Sequence, residues 1–518
     1  MCLGIITIQW LTPKEGGSLT IIQQHSKKIF TLAICLVLAY FSFAQLTKSE
    51  IGLETFEENI HGSPITITKP IGLEGDLIFI AHGYAGSSSF MRPIAVSLAH
   101  AGYTTIRFDF KGHGRHPAPY SGDITSSSGA TQIFLEQTNK IIDHYLEERK
   151  NTKGIIIGHS MASDIIFRVA SLNPSILSSI GISNYTDVIN KTQPKNVLIL
   201  NGEWEPRLRK KAINILQEMG IDEPKENRLY GFFNDGTARK ALSIPNTDHV
   251  SILYSTVTQK ALINWLDNIE NSSHTIKTNH IGIWTVILLI SLTLSFCVIS
   301  RLIEKKISHK FNINLTRCFS ANLTSGLITP LILKFNFFIF VPFPAHNYLI
   351  NHLLLYSIIT YMFFPKSTFK LLMKKFNFAI CIGLFFFYTF IFGGVLDEFV
   401  SSFYPKSTRI PLFIVLFIGC IPMALAVQIY HGARHHSFLM GNLTKASLIL
   451  SLVLAIILNS PDLIILAYGI LLLLLFFLVF SFLSNFLNKH HENVLSIGVA
   501  NGITLAWTFA SALPLYIP

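Results

Sequence analysis

The stretch Gly154-Ile-Ile-Ile-Gly-His-Ser-Met-Ala162 decides the fold of this chain. A short apolar run, typical of a buried strand, leads into a serine between small residues, and residues 163–170 then have helical spacing. This order predicts a nucleophile elbow, in which Ser160 stands on a sharp turn from a strand into a helix. Gly158 and Ala162 would let strand and helix pack closely, although alanine replaces the more usual glycine at the second position. The alternative is an ordinary serine that caps the helix N-terminus.

Length and composition exclude a single soluble domain. The chain has 518 residues, of which 50% are hydrophobic and only 14% are charged. Residues 47–275 hold 22 Lys/Arg and 24 Asp/Glu, so the net charge of +11 comes from the remainder. Such basic residues are typical of loops beside a membrane and not of a nucleic-acid face. With no zinc spacing, phosphate loop or RNA-binding signature, we expect no cofactor, no metal and no nucleic-acid partner.

An apolar run near the start of the chain predicts a first membrane crossing. Residues 29–46 carry no charge and follow Lys27 and Lys28, and a run of about 18 apolar residues can span a bilayer. It is either an uncleaved anchor, which the long preceding segment 1–28 favours, or a signal peptide cut after Ala44. Both interpretations leave the two lysines in the cytoplasm and residue 47 onward outside it.

Strands alternate with helices across residues 47–275. This alternation predicts an α/β fold, a mostly parallel sheet with helices on both faces. After a hairpin over 52–70, strands are predicted near 76–81, 104–109, 154–159, 180–183, 196–201 and 239–244. Helices are predicted over 88–101, 133–149, 163–170, 207–219 and 251–270. None of the six cysteines lies in this region, which excludes a disulfide, a cysteine nucleophile and thiolate metal ligands there.

Three motifs follow successive strands of this region. They are His82-Gly83, Phe108-Asp-Phe-Lys-Gly-His-Gly114 and Gly158-His-Ser-Met161. Each alone is weak, but in this order and spacing they resemble the α/β-hydrolase family, close to its monoacylglycerol-lipase and serine-aminopeptidase-like branches, over residues 50–270. The resemblance implies an α/β-hydrolase fold and a structural, non-catalytic Asp109. It also implies an oxyanion hole made by the backbone N–H groups of Tyr84 and Met161.

The resemblance further implies an acid after the next-but-one strand and a histidine near the end of the domain. Glu205 stands three residues after Gly202, where aspartate is more usual, and Glu203 is the alternative acid. Asp187 is a poorer candidate. His249, in Asn246-Thr-Asp-His-Val250 before the last predicted helix, is the expected base. The order Ser160, Glu205, His249 is that of an α/β-hydrolase triad.

These residue types suit acyl transfer. A serine hydroxyl needs a base within hydrogen-bond reach, histidine can return the proton to the leaving group, and a carboxylate orients the imidazole. We expect Tyr84, Ser87, Phe90 and Trp204 to line the pocket. Only about 13 residues separate the strands at 180–183 and 197–200, so there is no room for the helical cap that many relatives insert there. The pocket is then open, or covered by the membrane or the C-terminal region.

Residues 276–518 are expected to form an all-α transmembrane domain of about eight helices. The predicted segments are 281–300, 323–341, 347–364, 376–395, 410–430, 446–459, 463–483 and 495–517. Lys334 falls inside the second segment, where it marks either a functional cavity or a wrongly placed helix end. His431, His435 and His436 suggest either a metal site or, more simply, a basic loop.

Charge placement predicts the orientation of these segments. The loops after the first, third, fifth and seventh carry about twelve Lys/Arg, whereas the opposite loops carry only Lys406 and Arg409. Positive loops stay in the cytoplasm, so residues 47–275 are expected outside it. We therefore expect a multi-pass protein of a bacterial inner membrane with an extracytoplasmic hydrolase domain.

The sequence favours a membrane-anchored serine hydrolase that cleaves a carboxylic ester through a Ser-His-Glu triad and an acyl-enzyme. The missing cap and the membrane segments favour an acyl lipid as the substrate. Two alternatives remain open: a non-catalytic binding or signalling module on a hydrolase scaffold, and a membrane acyltransferase. The expected partners are a small-molecule or lipid ester and the membrane.

Overall fold

The computed structural model describes residues 18–123, 128–149, 153–186, 188–302, 311–335, 338–372, 376–459, 463–488 and 493–517. Its strands are β1 Leu53–Ile60, β2 Ser63–Pro70, β3 Leu77–Ala81, β4 Thr104–Phe108, β5 Tyr120–Ser121, β6 Gly154–His159, β7 Ile176–Ile182, β8 Val197–Gly202, β9 Leu229–Tyr230, β10 Arg239–Ile244 and β11 Tyr516–Ile517. The helices of the same region are α2 Arg92–His100, α3 Ala130–Glu148, α4 Met161–Leu172, α5 Pro206–Glu218 and α6 Thr256–Glu270, with short 3-10 helices at Ser88–Met91 and Ser251–Tyr254.

Nine strands form one sheet in the order β1-β2-β4-β3-β6-β7-β8-β10-β9. The six from β4 to β10 in this order run parallel, whereas β1, β2 and β9 pair antiparallel at the two margins. Every residue of β3, β4, β6 and β8 is buried, as expected of parallel strands covered on both faces. Helices α3, α4 and α5 pack on one face, and α2 and α6 pack on the other. The predicted α/β-hydrolase fold is therefore confirmed.

Two predicted helices begin with an irregular turn. The segment predicted over 88–101 starts as a 3-10 turn before α2, and that over 251–270 does the same before α6. At the second break, the side chain of Ser255 accepts a hydrogen bond from the backbone of Val257 and so caps α6. The cap places the true start of that helix after residue 255.

The remaining helices are largely apolar. They are α1 Ser18–Lys48, α7 Ile281–Leu302, α8 Leu315–Leu333, α9 Pro344–Met362, α10 Lys366–Leu372, α11 Phe378–Phe386, a π-helical turn Phe387–Phe392, α12 Gly393–Phe399, α13 Ile410–His431, α14 Ser437–Asn459, α15 Leu466–Asn488 and α16 Val494–Ala512. In the described ranges, seven helices are long and apolar enough to cross a membrane, or eight if α9 and α10, bent by 115°, form one span. The sequence had predicted nine, counting residues 29–46.

The second predicted C-terminal segment is the main error of placement. Instead of 323–341, the helix is α8, which starts where the Asn314 side chain accepts a hydrogen bond from Arg317 N at 2.8 Å. Lys334 is the C-terminal cap of α8 and is exposed. It therefore lies at a helix end and is not a charge within a span.

Two further boundaries differ. The segment predicted over 446–459 begins at Ser437, so the helix includes Lys445. The Lys445 ammonium group contacts Asn442 and lies over the ring of Phe477. The last segment was predicted to run to residue 517, but α16 ends at Ala512. Proline at position 514 disfavours helix at the residue before it. The chain therefore leaves the bundle and forms β11.

The apolar helices dock onto the hydrolase domain at the carboxyl ends of β3 and β4. Strand β11 pairs in parallel with β5, so that Tyr516 lies beside Tyr120. Buried Arg409 donates hydrogen bonds to the last carbonyls of α16 and, across the contact, to Gly112 O at 2.9 Å. Arg115 of the loop after β4 pairs with Asp397 at 2.8 Å. The sequence did not predict these contacts, because each joins residues far apart in the chain.

Candidate active site

Ser160 occupies the turn between β6 and α4. Its φ of 53° and ψ of −118° lie in a region that non-glycine residues rarely adopt, a strain of order 1–3 kcal/mol. A Cβ at position 158 would lie 2.6 Å from Ala162 O, so glycine is required there, while the methyl group of Ala162 is accommodated in the core. The Ser160 side chain makes no capping bond to α4. The conformation is that of a nucleophile elbow and not that of a helix cap.

The structure brings Ser160, His249 and Glu205 together. His249 Nε2 lies 2.9 Å from Ser160 Oγ, and His249 Nδ1 lies 2.6 Å from Glu205 Oε1. The three side chains come from the ends of β6 and β8 and from the loop after β10, which meet at one edge because these strands are parallel. The His249 side chain is 47% exposed, whereas that of Glu205 is only 6% exposed. A hydroxyl, an imidazole and a buried carboxylate in this order form a relay that can activate the hydroxyl.

Glu205 and Glu203 lie in different environments. Burial raises the pKa of the Glu205 carboxyl, but hydrogen bonds from His249, Gly202 N (2.7 Å) and Ser183 Oγ (2.8 Å) outweigh this effect and leave the pKa below its usual value. Glu203 is exposed, and its carboxylate accepts a hydrogen bond from Asn246 N at 2.7 Å. The geometry thus places Glu205 behind the imidazole. Asp187, the poorer candidate, lies outside the described residues.

His159, next to the elbow serine, holds His249 in place. Its Nε2–H donates a hydrogen bond to the backbone oxygen of His249 at 2.8 Å. Burial lowers the pKa of His159 to about 3, so the ring is neutral near pH 7. In the sequence, His159 stands out only as part of the motif Gly158-His-Ser-Met161. Only the folded contact between the loops after β6 and β10 shows its link to the base.

The predicted oxyanion donors flank Ser160. A Cβ at Gly83 would lie 3.0 Å from Ser160 Cβ, so the turn that carries Tyr84 packs directly against the serine. Met161 is the first residue of α4, where the backbone N–H has no acceptor earlier in the helix. The Tyr84 hydroxyl is 2.9 Å from that of Tyr120. The assignment of the backbone N–H groups of Tyr84 and Met161 to an oxyanion hole stays a prediction.

Asp109 stabilises the loops that follow β3 and β4. It is fully buried and accepts hydrogen bonds from Ser88 N (2.6 Å) and Arg115 N (2.9 Å). His82 donates through Nδ1 to Gly83 O and accepts from Phe110 N through Nε2, and burial lowers its pKa. These contacts join the loops after β3 and β4. They agree with the structural role that the resemblance implied for Asp109.

The residues expected to line the pocket differ in their exposure. Trp204 is 62% exposed beside the triad, and the ring of Phe90 lies 6.2 Å from that of His159. Ser87, however, is fully buried, and its hydroxyl accepts a hydrogen bond from Ser402 N at 3.0 Å. The expectation that Ser87 lines the pocket is wrong, because the loop between α12 and α13 covers it.

The helical region lies beside the site. Between β7 and β8 the described residues, 183–186 and 188–196, form no helix. Instead, the ring of Tyr468, in the first turn of α15, packs 4.7 Å from the ring of Tyr84. The Tyr254 hydroxyl also donates to Phe399 O at 3.3 Å. The C-terminal helices therefore cover one side of the turn that carries Tyr84.

The described residues hold no group of three or more His, Cys, Asp or Glu side chains placed to bind a metal ion. In particular, His431 is buried, whereas His435 and His436 are exposed, so these three do not converge. His435 and His436 lie on the exposed turn before α14, whereas His431 is the last residue of α13.

Comparison with known proteins supports the fold. Residues 75–230 match a hydrolase family model described as serine aminopeptidase, S33. The match spans Ser160 and Glu205 and ends before His249. No curated protein sequence matches the chain.

Solved structures show only a distant likeness. A lipase in an open form is 12% identical with a TM-score of 0.33, covering 42% of this chain and 99% of the lipase. An α/β hydrolase from Nostoc sp. PCC 7120 is 12% identical with a TM-score of 0.31, covering 42% of this chain and 98% of that protein. The epoxide hydrolase VrEH1 from Vigna radiata is 17% identical with a TM-score of 0.22, covering 26% and 40%. Values this low support no inference about the substrate.

The sheet order, the elbow and the family match agree with one another. Residues 53–270 have an α/β-hydrolase fold, and residues 75–230 of them are similar to the hydrolase family described as serine aminopeptidase, S33.

Proposed function

We propose that this protein is a membrane-anchored serine hydrolase that cleaves carboxylic esters, with Ser160 as nucleophile, His249 as base and Glu205 as the orienting acid. One observation carries the proposal: Ser160 Oγ, His249 and Glu205 Oε1 are joined by contacts of 2.9 and 2.6 Å. A non-catalytic module would require neither these two contacts nor the strained backbone conformation of Ser160.

In the proposed reaction, Ser160 Oγ attacks the ester carbonyl carbon while its proton passes to His249 Nε2. The negative oxygen of the tetrahedral intermediate accepts hydrogen bonds from the N–H groups of Tyr84 and Met161. His249 then protonates the leaving alcohol, and an acyl-serine remains. Water attacks this ester in the same way and gives up its proton to His249, which passes the proton on to Ser160 Oγ as the bond to the acyl carbon breaks and the carboxylic acid leaves. Glu205 stabilises the imidazolium formed in both steps.

The proposal places the hydrolase domain, residues 47–275, outside the cytoplasm and residues 276–518 in the membrane. The concentration of lysines and arginines in the loops after the first, third, fifth and seventh C-terminal segments supports this orientation. Helix α1 runs unbroken from Ser18 to Lys48, and buried Leu46 packs among Val96 and Ile281. This packing favours an uncleaved anchor at residues 29–46, because cutting after Ala44 would separate the helix from its buried end.

Labelling with a fluorophosphonate probe tests the proposal. The wild-type protein should be labelled and should hydrolyse a soluble p-nitrophenyl ester, whereas Ser160→Ala should do neither. Ser171→Ala is a matched control, because Ser171 lies near the end of α4, the helix that follows Ser160, and its hydroxyl donates to Phe167 O at 2.8 Å. Labelling that survives in Ser160→Ala would refute the assignment. Transfer of the acyl group to an added alcohol in preference to water would favour the acyltransferase.

A further inference from the structure

One edge of the sheet is only half covered. The loops after β3 and β4 are docked onto the C-terminal helices through Ser87, Gly112 and Arg115. Strands β7, β8 and β10 run parallel to β3 and β4, so the loops that follow β7, β8 and β10 lie at the same edge of the sheet. These loops carry exposed apolar side chains, namely Tyr185 (40%), Trp204 (62%) and Val250 (47%). We call these three residues the apolar rim.

The apolar rim borders the triad. Trp204 immediately precedes Glu205, Val250 immediately follows His249, and Tyr185 lies two residues after Ser183, which donates to the same carboxylate. Large apolar side chains grouped around a functional cleft mark a contact surface more often than chance exposure. The rim is therefore placed to meet whatever delivers the substrate.

Basic residues stand next to the rim in an unfavourable position. Helix α5 begins two residues after Trp204, has no acidic residue in its first turn, and carries exposed Arg207 and Lys210 near its N-terminus. The helix dipole disfavours positive charge there, although the carboxylate of Glu205 at the N-cap offsets part of this effect. Aromatic and basic side chains together are the usual composition of a surface that contacts anionic lipid headgroups.

We propose that the apolar rim rests on the surface of the bilayer that the C-terminal helices cross, so that the ester reaches Ser160 from the lipid. The docked loops after β3 and β4 contact α12, the strand that follows α16, and the start of α15, at helix ends that would leave the membrane. The segment after β10 also reaches the end of α12, through Tyr254. Strands β3 and β8 are three strand spacings apart, roughly 14 Å. The rim thus lies beside the helix ends, and the substrate would be an acyl ester of a membrane-embedded amphiphile. The substrate rests on the proposed function, whereas the contact with lipid does not.

The contact is tested on the full chain in vesicles that contain brominated phosphatidylcholine and phosphatidylglycerol. Trp284 and Trp507 lie in helices that would cross the membrane and would also be quenched. The signal is therefore the difference in emission between the wild-type protein and Trp204→Phe, which should be smaller in brominated than in unbrominated vesicles. Phe232 offers a matched control, because it is 73% exposed but follows β9 near the start of β10, at the opposite edge. Adding Phe232→Trp to the Trp204→Phe background should add emission that is not quenched. A difference of the same size in both kinds of vesicle would overturn the proposal, whether the rim then faces water or a second protein.

Delivery from lipid is tested by a ratio of rates, with diacylglycerol in vesicles and p-nitrophenyl butyrate in water as substrates. Trp204→Asp should lower the ratio of lipid to soluble hydrolysis at least about tenfold, as expected when an anchoring aromatic is lost. Phe232→Asp should leave the ratio unchanged. An unchanged ratio in Trp204→Asp would overturn delivery from lipid and leave the proposed hydrolase intact. Quenching at Trp204 without hydrolysis of either ester would instead refute the hydrolase and support the lipid contact.

Discussion

Replacing Glu205 by glutamine tests the triad with almost no change of shape. Glu205 Oε2 accepts hydrogen bonds from Ser183 Oγ and Gly202 N, so the single amide oxygen of glutamine is retained by these two donors. The amide NH₂ must then face His249 Nδ1, which now has to accept a hydrogen bond. The imidazole proton moves to Nε2 and points at Ser160. In that tautomer His249 cannot receive the serine proton.

The expected effect is a fall in kcat of roughly 10³–10⁴-fold, or about 4–5 kcal/mol in the barrier. The KM should change little, because Glu205 is buried behind the imidazole, away from the exposed side of the site. The same logic predicts slower fluorophosphonate labelling with an unchanged final extent, because Ser160 is still present. A stopped-flow or time-resolved gel assay measures the labelling rate.

Glu203→Gln is the matched control. The two acids lie two positions apart, but the Glu203 carboxylate bonds to Asn246 N on the exposed side of the loop. Its replacement should leave kcat close to the wild-type value. The reasoning is refuted if Glu205→Gln keeps a kcat near that of the wild type, or if Glu203→Gln loses as much as Glu205→Gln.

Two further predictions concern stability. Burial lowers the pKa of His159 to about 3 and that of His116 to about 4, so below the unfolded pKa of about 6.5 the unfolded chain binds protons that the folded state does not. Each histidine should therefore lower the free energy of unfolding by about 2 kcal/mol between pH 8 and pH 5. The Tm of the detergent-purified protein should fall over this range, and a Tm that stays constant or rises would contradict the prediction. Arg409→Ala should lower the Tm by several degrees, since it leaves Gly112 O and two carbonyls of the α16 end without their buried donor, at about 1–3 kcal/mol for each unsatisfied group. Lys406→Ala, an exposed neighbour, is the control, and an equal shift in both variants would argue against the role of Arg409.

Local sequence was sufficient for most of the long strands of the sheet, although β7 begins at Ile176 and not near residue 180, and the short strands β5 and β9 were not predicted. Buried parallel strands are continuous apolar runs, so β3, β6 and β8 were predicted within two residues of their bounds, and β10 was predicted at Arg239–Ile244 as found. Boundaries inside the apolar helices were poorer. Hydropathy varies slowly along such segments, and the start of α8 depends on one side-chain cap at Asn314.

The sequence by itself determined which residue types stand at the ends of the strands: a serine at a tight turn, two acids two positions apart, and a histidine before the last helix. It could not choose between Glu205 and Glu203, because one strand end presents both and only the packing of the loop after β10 brings His249 onto Glu205. Tertiary structure alone also decided the roles of His159, Ser87 and Arg409. Each acts through a partner distant in the chain, and no local pattern of hydrophobicity or charge encodes such a pairing.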